Sequence, residues 1–312
     1  MSGSPTLADC WFLTGPTASG KTAVGLELAE MQGAEILSLD SMALYRRLDI
    51  GTAKPTAAER RRVPHHFIDV LEANEEFSLA QYVAAAEHIV QAVRARQREP
   101  LFVGGTPLYL KSLLRGIFHG PPADWHFRQH WQQQAAQYGD QWLHQRVAQV
   151  DPVAAGRLHA RDTRRLIRAL EVFEKTGRPI SYWQSQFEHA RAADQCRVFV
   201  LDWPREQLAA RIDRRVEAMF AAGLVDEVRT LAADGIELGR TARQALGYRE
   251  VLAHLQGAAN LAETIELVKT RTRQFAKRQL TWFRSLSECR WVPMTENFEP
   301  RRVAEQIAGA AA

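Results

Sequence analysis

The segment Gly15-Pro16-Thr17-Ala18-Ser19-Gly20-Lys21-Thr22 satisfies the pattern G-x-x-x-x-G-K-[ST] at every fixed position, and it limits the fold before anything else in the chain does. Such a loop works only between a buried strand and a helix. Trp11-Phe12-Leu13 before it reads as the strand, and Ala23 to Met31 after it as the helix. The glycines let the backbone curl so that successive N–H groups converge on one anion, helped by the positive end of the helix. Lys21 adds a point charge, and Thr22 offers a hydroxyl to Mg2+. Residues 15 to 22 are therefore the expected seat of a phosphate or diphosphate; the pattern alone points to a nucleotide.

At 312 residues the chain exceeds one typical domain, so a main α/β domain with a smaller companion is expected. Forty Lys and Arg against 36 Asp and Glu leave a formal charge of +4, which neither demands nor excludes a nucleic-acid partner. Cys10, Cys196 and Cys289 lie far apart without zinc-site spacing, which points to a reducing compartment. The first strand begins too early to leave room for a leader peptide, and no apolar run approaches the roughly 20 residues that cross a bilayer. A cytoplasmic protein without membrane contact is expected.

Along the chain, Glu35 to Asp40 reads as a second buried strand ending in a carboxylate. Ligands bind at such strand ends in parallel sheets, so Asp40 is a working group, a solvated end residue or a carboxylate that only orders a magnesium water. Residues 40 to 55, rich in Gly, Pro and small polar side chains, read as a long loop whose Tyr, Arg and Lys favour a binding surface. His66 to Val70 reads as a third strand; His65 and His66 then face opposite ways, which favours local hydrogen bonding over metal ligation. Ser78 and Gln81 have capping-box spacing ahead of a helix from Leu79 to about Arg98. Pro100 to Val103 reads as a fourth strand opening into Gly104-Gly105-Thr106, where Thr106 is placed to touch a second substrate.

From Gly120 to Ala193 the pattern is helix after helix, and Cys196 to Asp202 resumes the strand pattern. The expected architecture is a P-loop kinase-like parallel α/β sheet flanked by helices, split as residues 1–119 and 196–312, with an all-helical insertion at 120–195. Two basic runs stand out. Arg157, Arg161, Arg164, Arg165 and Arg168 recur at helical spacing in the insertion; this is a polyanion grip or a solvated face. Arg271, Arg273, Lys277, Arg278 and Arg284 interleave with Phe275, Trp282 and Phe283, which could stack on unpaired bases or simply be a buried face. The last third otherwise reads as helical, broken by a loop at Arg243 to Tyr248.

Taken together, GPTASGKT at Gly15, LDSMALYR at Leu39, DIGTAKP at Asp49, VGGTPLYLKSLLRG at Val103, DTRRLIRALEVFEKTG at Asp162, LGYRE at Leu246 and TRQFAKRQLTWFR at Thr272 resemble the tRNA dimethylallyltransferases, of bacterial type, over nearly the whole chain. The resemblance implies transfer of a dimethylallyl group from its diphosphate to the exocyclic amine of the adenosine 3′ of a tRNA anticodon, position 37. The loop Gly15, Pro16, Thr17, Ala18, Ser19, Gly20, Lys21 and Thr22 would then grip the diphosphate leaving group, with Mg2+ at Thr22. By the same resemblance Asp40 is the general base, Thr17 lies near the transferring group, and Lys21 and Arg215 stabilise the leaving charge. Contacts to tRNA carry over to Asp40, Ser41, Met42, Ala43, Thr106 and Arg128. They also carry over to Arg164, Arg165, Leu166, Ile167 and Arg168, to Arg243, Gln244, Ala245, Leu246, Gly247 and Tyr248, and to Lys277, Arg278, Gln279, Leu280, Thr281, Trp282, Phe283 and Arg284. Many members read DSMQVYRG where this chain has Ala43 and Arg46-Arg47, so a Gln contact to the target base or its neighbour is absent. Nothing in the chain signals an assembly, and a monomer is expected.

Two rivals share the same motifs. A P-loop small-molecule kinase would consume ATP, whereas the transferase needs a prenyl diphosphate and tRNA. A non-catalytic RNA-binding ATPase would keep its RNA affinity and its biology without Asp40.

Overall fold

The computed structural model describes residues 7–118, 120–184, 190–234, 238–239 and 241–311. Two compact units result, Met1–Leu114 with Arg191–Ala312, and Arg115–Ala190. The division falls a few residues before the borders expected from Pro121 and Cys196. Its first cause is Gly116 (φ 82°), which stops a helix ahead of the prolines. Of the expected core segment 1–119, residues 1–6 and His119 lie outside the described residues.

The first unit contains β1 (Trp11–Thr14), α1 (Lys21–Met31), β2 (Ala34–Ser38), α2 (Ala57–Arg62), β3 (His65–His66), α3 (Leu79–Ala95), β4 (Glu99–Val103) and α4 (Pro107–Arg115), whose last residue opens the second unit. In the second follow α5 (Trp125–Tyr138), α6 (Asp140–Val150), α7 (Pro152–Arg157), α8 (Thr163–Thr176) and α9 (Ile180–Gln184). The first unit resumes with β5 (Arg197–Asp202), α10 (Arg205–Ala221), α11 (Leu224–Ala233), α12 (Tyr248–Leu255), α13 (Leu261–Arg284), β6 (Cys289–Pro293) and α14 (Pro300–Ala311).

The six strands among the described residues are all parallel, in the order β3-β2-β4-β1-β5-β6. Every residue of β1 and β2 is buried, as expected for strands covered on both faces. Helices flank the sheet, and α1 with α14 closes a core that includes Leu13, Leu26, Ile36, Phe199, Leu201 and Ile307. Since β1 lies between β4 and β5, the carboxyl ends of three adjacent strands open beside the loop at residues 15–20. The helical unit has its own core of Leu143, Val147, Leu166, Ile167 and Leu170. Asp124, Asp151 and Asp162 cap α5, α7 and α8.

Three expectations need correction. The third strand is only His65–His66, because Phe67 (φ 61°) and Asp69 (φ 57°) turn into the left-handed region and end the ladder. The N–H groups of Asp69, Val70 and Leu71 bond instead to the carbonyls of Ala43 and Leu44. The last third is not wholly helical, since β6 pairs with β5 along Val198 to Asp202. Residues 40 to 43 and 51 to 55 line a cavity, but the Tyr, Arg and Lys side chains of this loop are committed within the protein. Tyr45 is buried, and Lys54 donates to Tyr45 O (2.5 Å), Asp49 Oδ1 (2.8 Å) and Asp69 Oδ1 (2.6 Å). Arg46 and Arg47 are paired with Glu72 and Asp234.

The adjacent histidines bond locally. His65 Nδ1 lies 2.7 Å from Val63 O, and His66 Nε2 lies 2.7 Å from Glu35 on the neighbouring strand. Arg96 grips the same buried Glu35 with two bonds of 3.0 and 2.7 Å. These bonds, the Arg96 ones foremost, outweigh burial and bring the Glu35 carboxyl down to about 2. A depressed carboxylate contributes stability above its unfolded pKa of 4.5 and loses it as the pH falls through about 2. Arg96 is half exposed and screened, so Glu35→Gln should cost about 2 kcal/mol at pH 7. It should also flatten the acid limb of stability between those two pH values, measured by urea unfolding across pH.

Candidate active site

Gly20 caps α1 in a left-handed conformation (φ 91°), and Ala18 before it is also left-handed (φ 64°). This curl aims the first turn of α1, whose N–H groups have no intrahelical partners, at the space in front of the loop. Not every loop N–H is available, contrary to the simplest expectation. Thr17 N–H donates to Gln279 Oε1 (2.9 Å), and Ser19 N–H to Pro16 O (3.3 Å). Two of the loop N–H groups are thus already engaged within the protein.

The loop carbonyls are held by donors from three directions. Lys21 Nζ donates to Gly15 O (3.0 Å) and Pro16 O (2.7 Å). Arg211 Nε donates to Ala18 O (2.9 Å), and Trp203 Nε1 to Ser19 O (3.0 Å). The Arg211 guanidinium lies 4.2 Å from the Trp203 ring centroid, so the two anchors brace each other. Gln279 bridges the remaining side, accepting from Thr17 N–H and donating to Gly105 O (2.5 Å).

Asp40 follows β2 and lines the same cavity as the loop, a space of about 1360 Å³. One carboxylate oxygen, Oδ1, accepts from Met42 N–H (2.8 Å), which fixes the side chain's orientation. Thr106 Oγ1 accepts from Ser41 N–H (3.2 Å), and Thr106 N–H donates to Leu39 O (3.0 Å), locking the β2 and β4 ends together. That contact needs glycine beside it, since a Cβ on Gly104 would stand 2.3 Å from the Leu39 carbonyl. Burial, and then the neighbouring Arg215 charge, push Lys21 down to about 7, with Asp40 opposing them. Burial also lowers Arg215, again opposed by Asp40. Two cations and one carboxylate thus share a poorly solvated space.

The cavity also takes in Ser41, Met42, Ala43, Thr106, Gln244 to Gly247 and Arg278, bringing together segments far apart in sequence. Other expected contact residues sit elsewhere. Leu166 and Ile167 are core residues of the helical unit, and Tyr248 and Phe283 are fully buried, so their side chains are structural. Ala245 and Gln279 do line the cavity, but Ala245 has only 3% of its surface exposed and Gln279 is bonded to the loop. Arg128 and Arg168 both grip Glu171, a buried carboxylate that also accepts from Asp124 N–H (2.7 Å). The arginine row is not one helix face, because α7 ends at Arg157 and α8 begins at Thr163. Arg164 and Arg165 remain exposed. On α13, Arg271 pairs with Glu250 and Arg273 with Asp213, while Lys277, Arg278, Thr281 and Arg284 are exposed and Leu280 and Trp282 half-buried. Arg243 is exposed as well.

Sequence reading missed Trp203, Arg211 and the structural use of Gln279, which act on the loop from 184, 193 and 262 residues away. Among the described residues no cluster of three His, Cys, Asp or Glu side chains could chelate a metal. The donor set fits a magnesium ion bound chiefly through a ligand's phosphate oxygens, with the Thr22 hydroxyl as the protein's share.

Replacing Gln279 by Leu removes both bridging bonds and leaves Thr17 N–H and Gly105 O without partners. The expected outcome is a loss of about 2 kcal/mol in stability and about tenfold in affinity for inorganic diphosphate, followed by calorimetry.

Comparison with known proteins matches residues 43–286 to a family described as IPP transferase. A tRNA dimethylallyltransferase of Rhodopirellula baltica is 47% identical over 295 residues, covering 92% of this chain and 88% of the relative. Another, from Desulforudis audaxviator, is 46% identical and covers 96% of both. The full-length tRNA isopentenylpyrophosphate transferase of Bacillus halodurans superposes with a TM-score of 0.70 at 36% identity, over 97% of each chain. A eukaryotic dimethylallyltransferase acting on tRNA superposes at 0.78 with 25% identity, over 96% of this chain and 77% of its own. With a phosphate-loop motif, a carboxylate lining the same cavity and this agreement along nearly its whole length, the chain belongs to the IPP transferase family.

Proposed function

We propose that this protein transfers a dimethylallyl group from dimethylallyl diphosphate to the exocyclic amine of the adenosine 3′-adjacent to a tRNA anticodon, position 37. The observation that carries the reading is the single cavity that contains both the start of α1 and Asp40. A kinase needs the loop for ATP; a prenyl transfer needs an anion seat and a base on either side of one carbon, and the relatives are named for that transfer.

The exocyclic amine of adenine is a poor nucleophile because its lone pair is spread into the ring. As its nitrogen attacks the allylic carbon, the C–O bond to diphosphate breaks, and charge grows on the leaving oxygen. The first-turn N–H groups of α1, Lys21 and Arg215 receive that charge at little reorganisation cost. Mg2+ held at Thr22 with diphosphate oxygens would neutralise further charge. Nitrogen becomes cationic as its bond to carbon forms, and its proton then passes to Asp40. With Oδ1 fixed by Met42 N–H, the second carboxylate oxygen is the acceptor. The base must leave its stack to reach this cavity, at lower cost in an anticodon loop than in a duplex.

Arg164, Arg165, Arg243, Lys277, Arg278 and Arg284 carry exposed charge suited to RNA phosphates. Arg128 and Arg168 serve the same segment by fixing α5 and α8 through Glu171. The protein is proposed to work as a cytoplasmic monomer. Three buried cysteines outside any disulfide agree with a reducing compartment, and no helix among the described residues is long and apolar enough to cross a membrane.

Asp40→Asn keeps an acceptor for Met42 N–H but removes the base. Single-turnover transfer to unmodified tRNA should fall by about 10²- to 10⁴-fold while tRNA affinity stays within about twofold; an unchanged chemical rate refutes the assignment. Lys21 gives a pH test. With its pKa near 7 in the free protein it is charged below that pH, and above it must take up a proton when an anion binds. Diphosphate affinity should therefore fall with rising pH above about 7, with proton uptake visible in buffers of different ionisation enthalpy, and Lys21→Met should abolish both effects.

A further inference from the structure

Outside the anion seat, one carboxylate gathers an unusual number of donors. Glu227 on α11 is half-buried, and its Oε2 accepts from Asp49 N–H (3.0 Å) and Ile50 N–H (2.8 Å). Its Oε1 accepts from Gly51 N–H (3.3 Å) and from the Tyr248 hydroxyl (2.5 Å). Three consecutive amides and a phenol thus converge on one side chain, an anion nest whose occupant is part of the protein. Burial and the adjoining carboxylate push the Tyr248 phenol far up, so it stays a donor. The Tyr248 ring lies where a Cβ on Gly51 would be, 2.4 Å away, so the two segments meet backbone to ring with no room for slippage.

Both segments held by this group form walls of the cavity. Gly51 to Pro55 follow directly from the clamped amides, and Gln244 to Gly247 directly precede Tyr248. The second wall is fixed from the other side as well, since Glu250 accepts from Gly247 N–H (2.9 Å) and pairs with Arg271 on α13. None of the anchors of the anion seat involves Glu227; those are Lys21, Arg211, Trp203 and Gln279. Glu227 therefore acts on one part of the cavity and leaves the other alone.

We propose that Glu227 is a positioning residue that sets the separation of the 49–55 and 244–248 segments, and so shapes the part of the cavity that receives the acceptor nucleoside. This rests on the transferase reading above for what the cavity receives. Without Glu227 the three amides turn to water and the loop swings free of Tyr248, so acceptor binding weakens while the diphosphate seat keeps its form.

The test compares Glu227→Ala, Glu227→Gln and Tyr248→Phe in the full chain. Glu227→Ala should raise the KM for an anticodon stem-loop RNA about tenfold, with the KM for dimethylallyl diphosphate changed by less than about twofold. Glu227→Gln keeps an oxygen for the amides and should recover most of the loss, to within about threefold of the parent. Tyr248→Phe combined with Glu227→Ala should be no worse than Glu227→Ala alone, since the two share one interaction. Amide hydrogen exchange at residues 49–51 gives a readout independent of turnover, and should quicken about tenfold in Glu227→Ala with the remaining amides of the first unit unchanged. Equal rises in both KM values, or unchanged protection at 49–51, overturn the proposal. A parent protein that transfers no prenyl group removes the transferase reading instead, and the exchange experiment then decides alone whether Glu227 holds the two segments.

Discussion

A loop can hold its N–H groups in a fixed array only if its backbone does not move, and here the carbonyls of Gly15, Pro16, Ala18 and Ser19 and the N–H of Thr17 are all bonded. Its carbonyls are bonded by Lys21, Arg211 and Trp203, and its Thr17 N–H by Gln279. Each anchor comes from a different element, namely α1 itself, α10, the end of β5 and α13. The sheet sets where those elements stand, and the loop inherits its shape from them. Preorganised dipoles of this kind stabilise developing charge because they need not reorient when it appears.

Much of this arrangement was legible in the sequence, and what was legible shares a physical trait. The buried strands β1, β2, β4 and β5 announce themselves as apolar runs because a parallel sheet is covered on both faces. The phosphate loop is legible because its geometry demands glycine at fixed spacing. Asp40 stands at the end of an apolar run, and a strand end is a place that can be counted from sequence. Capping at Ser78 was equally local, and it is realised by Gln81.

What stayed hidden depends on separation along the chain. β6 is five residues long, half exposed in its pattern and bounded by a proline, so nothing in its composition distinguishes it from a loop. The third strand shows the opposite failure: His66 to Val70 has strand composition, yet two residues take left-handed backbone so that Asp69 can meet Lys54 and Arg60. Interleaved aromatics and cations on α13 suited an RNA surface and a buried face equally well. The helix divides them, with Phe283 and Gln279 turned inward and Lys277, Arg278 and Arg284 outward. Similarly, charge counted along residues 157–168 gave no sign that Arg168, together with Arg128, would be committed to Glu171.

Phe298, between β6 and α14, packs edge-on against Trp203 with ring centroids 5.5 Å apart, and its tip rests on Gly20. A motif around Gly20 is thus completed by a ring at Phe298, which is made much later in synthesis. Until that ring is made, Gly20 lacks its backing and Trp203 has Arg211 but not Phe298 against it. The packed form of the loop is in this way deferred until synthesis has passed β6, and a chain cut short before Phe298 would carry the motif without the ring that backs it.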